Sequence, residues 1–283
     1  MARSENNGFF SRLFRRRPVV PVVRLSGPIG MNMPLVSSMS LASVSKQLDK
    51  AFSYRKASAV ALVINSPGGA PTQSHLIHQR IRQLAEKNKK KVIVFVEDVA
   101  ASGGYMIACA GDEIIADTYS IVGSIGVVSA SFGFEKMLKK LGIERRVYTA
   151  GDSKRQLDAF LPEKPEDIRR LKALQTKIHE DFIALVKRGR GKRLNGSDKT
   201  LFNGEYWLGE QAMKFGLIDG IGDLRGTLQK RFGKNVLTPL IAPASGFFAR
   251  RIPGMSGAIL PDDWAKTALA AAEERALWGR YGL

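Results

Sequence analysis

The sequence predicts an α/β protein with one main domain, on three observations. Apolar, β-branched runs near Val22, Val60, Val92, Ile114, Val127, Val147 and Leu217 alternate with stretches of helical periodicity, the order expected of stacked βαβ units. The run Ala59-Val60-Ala61-Leu62-Val63-Ile64 is apolar at every position, as in a parallel strand buried on both faces. A chain of 283 residues that is 44% hydrophobic has material for one substantial core with appendages rather than for two equal domains.

At the start, Phe9-Phe10-Ser11-Arg12-Leu13-Phe14-Arg15-Arg16-Arg17-Pro18 mixes aromatic and aliphatic side chains with arginines. That is the composition of an interfacial anchor on anionic lipid, and equally of a disordered basic tail. No run of about 20 apolar residues occurs, so neither a signal peptide nor a transmembrane helix is expected. After the strand near Val22, the run ending at Ile64 leads into Asn65-Ser66-Pro67-Gly68-Gly69. Proline has no amide hydrogen, so the donors at this bend come from the glycines, which let a substrate carbonyl approach closely. Read alone, the same turn is an ordinary strand-to-helix connection. A helix from Thr72 to Lys87 follows, carrying His75 and His78.

The next run, Val92 to Val96, continues into Glu97-Asp98-Val99-Ala100-Ala101-Ser102-Gly103-Gly104-Tyr105, which reads as strand, tight turn and helix. A serine at such a turn projects from a buried strand end, beside unpaired amides that can receive an oxyanion. It can equally cap the helix, with the glycines serving close packing. The three histidines, His75, His78 and His179, read as solvated or packed helix residues. With no Gly-x-Ser-x-Gly elbow and no His-Glu-x-x-His signature, a histidine triad and a zinc hydrolase are both poorly supported. The remaining candidate base is a lysine, which acts as one only when enclosed. Lys154 lies just past the short run at Val147. The single cysteine, Cys109, excludes an intramolecular disulfide framework and has the apolar neighbours of a buried thiol.

Four ordered motifs, Asn65-Ser-Pro-Gly-Gly69, Ala100-Ala-Ser-Gly-Gly-Tyr105, Gly123-Ser-Ile-Gly-Val127 and Thr149-Ala-Gly-Asp-Ser-Lys154, resemble those of the signal peptide peptidase A (protease IV) family of serine peptidases. The stretch Phe202 to Asp219 looks like the one that closes that family's catalytic domain, and the resemblance runs from about Val22 to about Phe232. It implies a ClpP/crotonase-like spiral of ββα units. It also implies Ser102 as nucleophile, Lys154 as general base, Ser124 as the residue orienting the lysine, and Gly68 and Gly103 as oxyanion donors. No metal or organic cofactor is implied. Family members form homo-oligomeric rings, and in single-domain members the Ser and Lys of one site can come from adjacent protomers. Many members carry an N-terminal membrane span, so its absence here is a departure, and a membrane-associated or cytoplasmic location is expected. The boundaries drawn are 1–18 for the basic tail, 19–235 for the peptidase domain and 236–283 for a C-terminal extension with a helix.

Three function classes follow. The first is a Ser/Lys endopeptidase acting on extended apolar peptides, such as cleaved signal peptides or membrane-protein fragments. The second is a crotonase-like non-peptidase acyl enzyme, and the third a catalytically silent membrane-associated scaffold. The net charge of +18 favours anionic surfaces. Its clusters, Lys87 to Lys91, Arg145-Arg146 and Lys187 to Arg193, have few interleaved aromatics and no nucleic-acid motif, so lipid or solvent is expected to face them and no nucleic acid. In the extension, Pro261-Asp-Asp-Trp264 opens an Ala-rich segment ending near Trp278. Trp264, Leu269, Leu277 and Trp278 give it a face for docking on the domain or on a neighbour.

Overall fold

The computed structural model describes residues 17–30, 38–151, 153–242, 272 and 275–283. The arginine-aromatic run at the start lies almost wholly outside them, as do Trp264 and Leu269. Strands β1 (Val22–Ser26), β2 (Ala59–Ser66), β3 (Lys91–Ala101), β4 (Glu113–Ala116) and β7 (Gly220–Ile221) form a parallel sheet in the order β1-β2-β3-β4-β7. The intervening helices are α1 (Leu41–Phe52), α2 (Pro71–Asn88) and α3 (Gly103–Ala108). The chain is therefore a single α/β domain, as the run of apolar segments predicts.

Burial explains why β2 from Ala59 to Ile64 and β3 from Val92 to Val96 carry no polar residue. Val60, Leu62 and Ile64 join Val92, Val94 and Val96 in the main core. The alternating residues Ala59, Ala61 and Val63 join Ile93 and Phe95 in a second, smaller cluster on the opposite face. With a period of two, a strand packed on both faces must be apolar throughout. The main core is closed by α1, α2, α3 and the C-terminal part of α5 (Pro165–Arg190), which buries Phe182, Leu185 and Val186. The smaller cluster lies under Leu228 of α8 (Leu224–Phe232).

Strand β3 serves two pairings. Ile93 to Val96 pair with β4, whereas Val99 to Ala101 pair with β5 (Ile121–Gly123). Between the two halves the register with β2 shifts, from Ile64 opposite Val96 to Ser66 opposite Ala100. Such a bulge bends the strand. The Asn65 side chain fills the gap, accepting from the Val99 amide at 3.2 Å and donating to Asp98 Oδ2 at 2.6 Å. Beyond the bend the end of β3 keeps Ala100 opposite Ser66 of β2 but exchanges β4 for β5, which pairs antiparallel with β6 (Tyr206–Leu208) in the same sheet.

Three sequence expectations need correction. No strand forms at Val147, which lies in a stretch with no sheet neighbour. The strand expected around Val127 is β5, which ends four residues earlier. Leu217 is buried but sits in a turn, its amide donating to Ala212 O at 2.8 Å, and β7 begins three residues later. β-branched residues mark a strand only where a partner edge is within reach, and here the edge was not.

Candidate active site

Ser102 follows directly on β3. Its amide donates to Gly123 O at 2.8 Å, and its carbonyl accepts the first bond of α3, from Met106 N at 3.0 Å. Held at both ends, it adopts φ 51° and ψ −120°, a conformation that costs a non-glycine residue about 1–3 kcal/mol and persists only where the surroundings over-determine it. It does not cap α3. Ser124 stands at the equivalent place on the neighbouring strand end, just past β5, with φ 52° and its amide donating to Glu205 O at 2.7 Å. Two adjacent parallel strand ends thus each turn through left-handed backbone at a serine.

The Pro67-Gly68-Gly69 turn closes on Ser102 from β2. A Cβ built at Gly68 would lie 2.9 Å from Gly103 N and from Ser102 Cβ, and one at Gly103 would lie 2.3 Å from Ser74 Oγ. Only glycine permits this approach. The Gly68 amide donates to Ser66 Oγ at 3.2 Å, and that hydroxyl donates to Gly27 O at 2.7 Å. Gly68 O accepts from Ile29 N at 2.9 Å, and Ala70 N donates to Ile29 O at 2.8 Å. In this parallel bridge the groups of Gly69 itself point the other way, and its nitrogen lies 3.4 Å from the Cβ position of Gly103.

These residues border a cleft of about 990 Å³ lined by Gly69, Ser102, Gly103 and Ser124, with Met106 and Phe182 among its apolar residues. His179, read from the sequence as a solvated or packed helix residue, also lines it, with Nε2 3.0 Å from Ile125 O. So do Asn203 and Tyr206, and Leu277, Arg280 and Tyr281 of the C-terminal segment, none of which the sequence reading assigned to the site. Lys154 is not brought here. It is exposed, on a turn in which its amide donates to Gly151 O at 3.1 Å, and it does not line the cleft.

Beneath the site, α3 is pinned from below. The fully buried Tyr105 donates to Leu217 O at 2.7 Å. Arg190 from α5, also fully buried, clamps Asp219 with bonds of 2.7 and 2.9 Å and donates to Gly216 O. Burial pushes the Cys109 thiol up to about 12, the cationic Arg190 offsetting it in part, so this cysteine is inert at neutral pH. His78 is held at about 4 by burial and by the neighbouring His75, Arg82 and Arg188. It lines a separate, smaller cleft with Arg82, Cys109 and Arg188. Among the described residues, no group of three or more His, Cys, Asp or Glu is placed to hold a metal ion.

Residues 84–233, more than half of the chain, match the model of peptidase family S49. The chain belongs to peptidase family S49. The matched range includes Ser102, Ser124 and Lys154. Protease 4 of Haemophilus influenzae is 38% identical over 66% of the chain. The chloroplastic serine protease SPPA of Arabidopsis thaliana is 32% identical over 74%. A protein of Brucella abortus named Na(+)/H(+) antiporter NhaA is 55% identical over 98% of the chain. The S49 chain spans only 39%, 30% and 31% of the Brucella, Haemophilus and Arabidopsis proteins respectively. Among the described residues no helix is long and apolar enough to cross a membrane.

Proposed function

We propose that this S49 chain is a serine endopeptidase whose nucleophile is Ser102, whose general base is Lys154 and whose lysine-orienting residue is Ser124. The observation that carries the reading is the forced left-handed backbone of Ser102 at a strand-to-helix turn, facing the main cleft. Ser102 Oγ attacks the scissile carbonyl as Lys154 takes its proton. The oxyanion is held by the Gly103 amide and by the Gly68-Gly69 turn, where Gly69 N–H is the better placed because Gly68 N–H already serves Ser66. Protonated Lys154 then gives its proton to the leaving amine, and water, deprotonated by the same lysine, releases the acyl group.

Lys154 reaches a serine from a second copy of the chain. From Val128 to Glu166 no described residue is buried, and Phe132 and Tyr148 are 77% and 91% exposed. A homo-oligomeric ring would cover this stretch and enclose the lysine in the neighbour's site. Substrates are extended apolar peptides, such as cleaved signal peptides or membrane-protein fragments, that add as a strand along Gly69 and lay side chains on Met106 and Phe182. The working domain is 19–235, and the basic residues face an anionic membrane surface rather than nucleic acid. The names of the Haemophilus and Arabidopsis relatives favour a peptidase over an acyl enzyme or a scaffold. The antiporter activity named for the Brucella protein is not carried over, because the match spans a minor part of it.

Intact mass after reaction with a fluorophosphonate tests the assignment. One adduct is expected on the wild type and none on Ser102→Ala or Lys154→Ala. No adduct on a folded, oligomeric wild type would contradict it.

A further inference from the structure

The C-terminal segment is seated in the cleft of its own protomer, a place that neither catalysis nor folding of the sheet requires. Residues 275–279 are helical, and Leu277, Arg280 and Tyr281 line the same cleft as Ser102. Tyr281 packs edge-on against Tyr206, with centroids 5.2 Å apart at 71°, and the Tyr206 hydroxyl donates to Arg280 O at 3.1 Å. The Tyr281 hydroxyl then reaches Pro67 O and Ser124 Oγ, each at 3.4 Å. It therefore spans the cleft from the turn after β2 to the serine after β5.

We propose that Arg275–Leu283 is an internal competitor of the Ser102 site, latched by Tyr281 onto Ser124 and released when the site assembles. The proposal rests on the reading of Ser102 as nucleophile and Ser124 as the partner of the catalytic lysine. The phenol stands against the hydroxyl that the lysine amine must approach, so the latch and the arriving Lys154 exclude each other. Leu277 and Arg280 take up cleft surface that an extended peptide needs. Both hydroxyl contacts are longer than the usual 2.5–3.0 Å of O–H···O bonds and correspondingly weak, so the latch is releasable. Being tethered, it competes as an intramolecular ligand, independently of protein concentration. Burial raises the Tyr281 pKa and the bond with Ser124 offsets this in part. The phenol thus stays a neutral donor across physiological pH and the latch is governed by displacement, not by titration.

The rate of fluorophosphonate labelling at Ser102, followed by intact mass, tests this in four chains: the full chain, Tyr281→Ala, Tyr281→Phe and a chain lacking residues 275–283. Labelling about tenfold faster in Tyr281→Ala and in the shortened chain, a difference of about 1.4 kcal/mol, with Tyr281→Phe in between, is expected. Equal or slower labelling in Tyr281→Ala and the shortened chain, with the full chain labelled, would overturn the latch and leave Ser102 as nucleophile. No labelling in any of the four would overturn both, because removing the segment would then have unmasked no reactive serine.

Discussion

Ser102 and Lys154 sit in regions built on opposite principles. Ser102 ends a strand whose neighbours Val99, Ala100 and Ala101 are fully buried, and its backbone is fixed by Gly123 on one side and Met106 on the other. Lys154 belongs to the stretch Val128 to Glu166, which holds itself together locally. There one Arg145 nitrogen donates to both carboxylate oxygens of Asp158, and the guanidinium stacks 4.5 Å over Phe160, which meets Phe134 at 5.5 Å. Its short helix α4 (Glu135–Leu141) buries nothing. The difference teaches that the proposed nucleophile is preformed, its strain of roughly 1–3 kcal/mol sustained by the sheet. The proposed base would be enclosed only by what packs against it.

The largest expected effect is on turnover. Ser102→Ala and Lys154→Ala should each lower kcat about 10⁴-fold or more while leaving the thermal midpoint within about 2 °C, measured on an unstructured apolar peptide. Near-normal turnover in Lys154→Ala would remove the exposed stretch from the site and break the comparison. A smaller loss, about 10²–10³-fold in kcat, is expected of Gly103→Ala, whose new Cβ meets Ser74 Oγ at 2.3 Å. Because the Ser74 Cβ would be 3.3 Å away, Ser74→Ala in the same chain should restore most of it. A double variant no better than Gly103→Ala would mean that the preformed half is not sensitive in this way.

Two Arg–Asp pairs sharpen the contrast in stability. Arg190→Met leaves Asp219 without its two-pronged partner in a site where the arginine is fully buried, and chemical denaturation should show a loss of about 3–5 kcal/mol. Arg145→Met, which removes a partly exposed arginine while Arg155 still faces Asp158, should cost no more than about 1 kcal/mol. Equal losses would show that the exposed stretch is as integrated as the sheet.

A further effect is pH-dependent. The native pKa of His78 is lowered from 6.5 to about 4, so between those values the unfolded chain binds the proton and the folded chain does not. The stabilisation is fully present above about pH 6.5 and is lost as pH falls toward 4, with a slope of at most about 1.4 kcal/mol per unit. Unfolding free energies of wild type and His78→Phe, compared from pH 7 to 4, should converge or cross in that window. A constant difference would place His78 in a solvated environment.

The parallel sheet was legible because β2 and β3 are buried on both faces, which leaves a continuous apolar run, and because the Gly-Gly turns that end them need glycine for close approach. The antiparallel β6 was not, since its three residues alternate exposed, buried, exposed and only β5 makes them a strand. His179 and Tyr281 reach the cleft from elements remote in sequence, and nothing in their local pattern announces it. The bond between Gly68 N–H and Ser66 Oγ spans only two residues, a turn contact within reach of any Ser-Pro-Gly sequence that the motif reading passed over.

Mixing the two inactive chains tests the central claim most directly. If each site takes Ser102 from one copy and Lys154 from another, Ser102→Ala and Lys154→Ala, unfolded together and refolded, should recover a measurable share of wild-type peptidase activity, although neither has any alone. A mixture that assembles to the wild-type size and stays inactive would contradict the account and return both residues to a single copy.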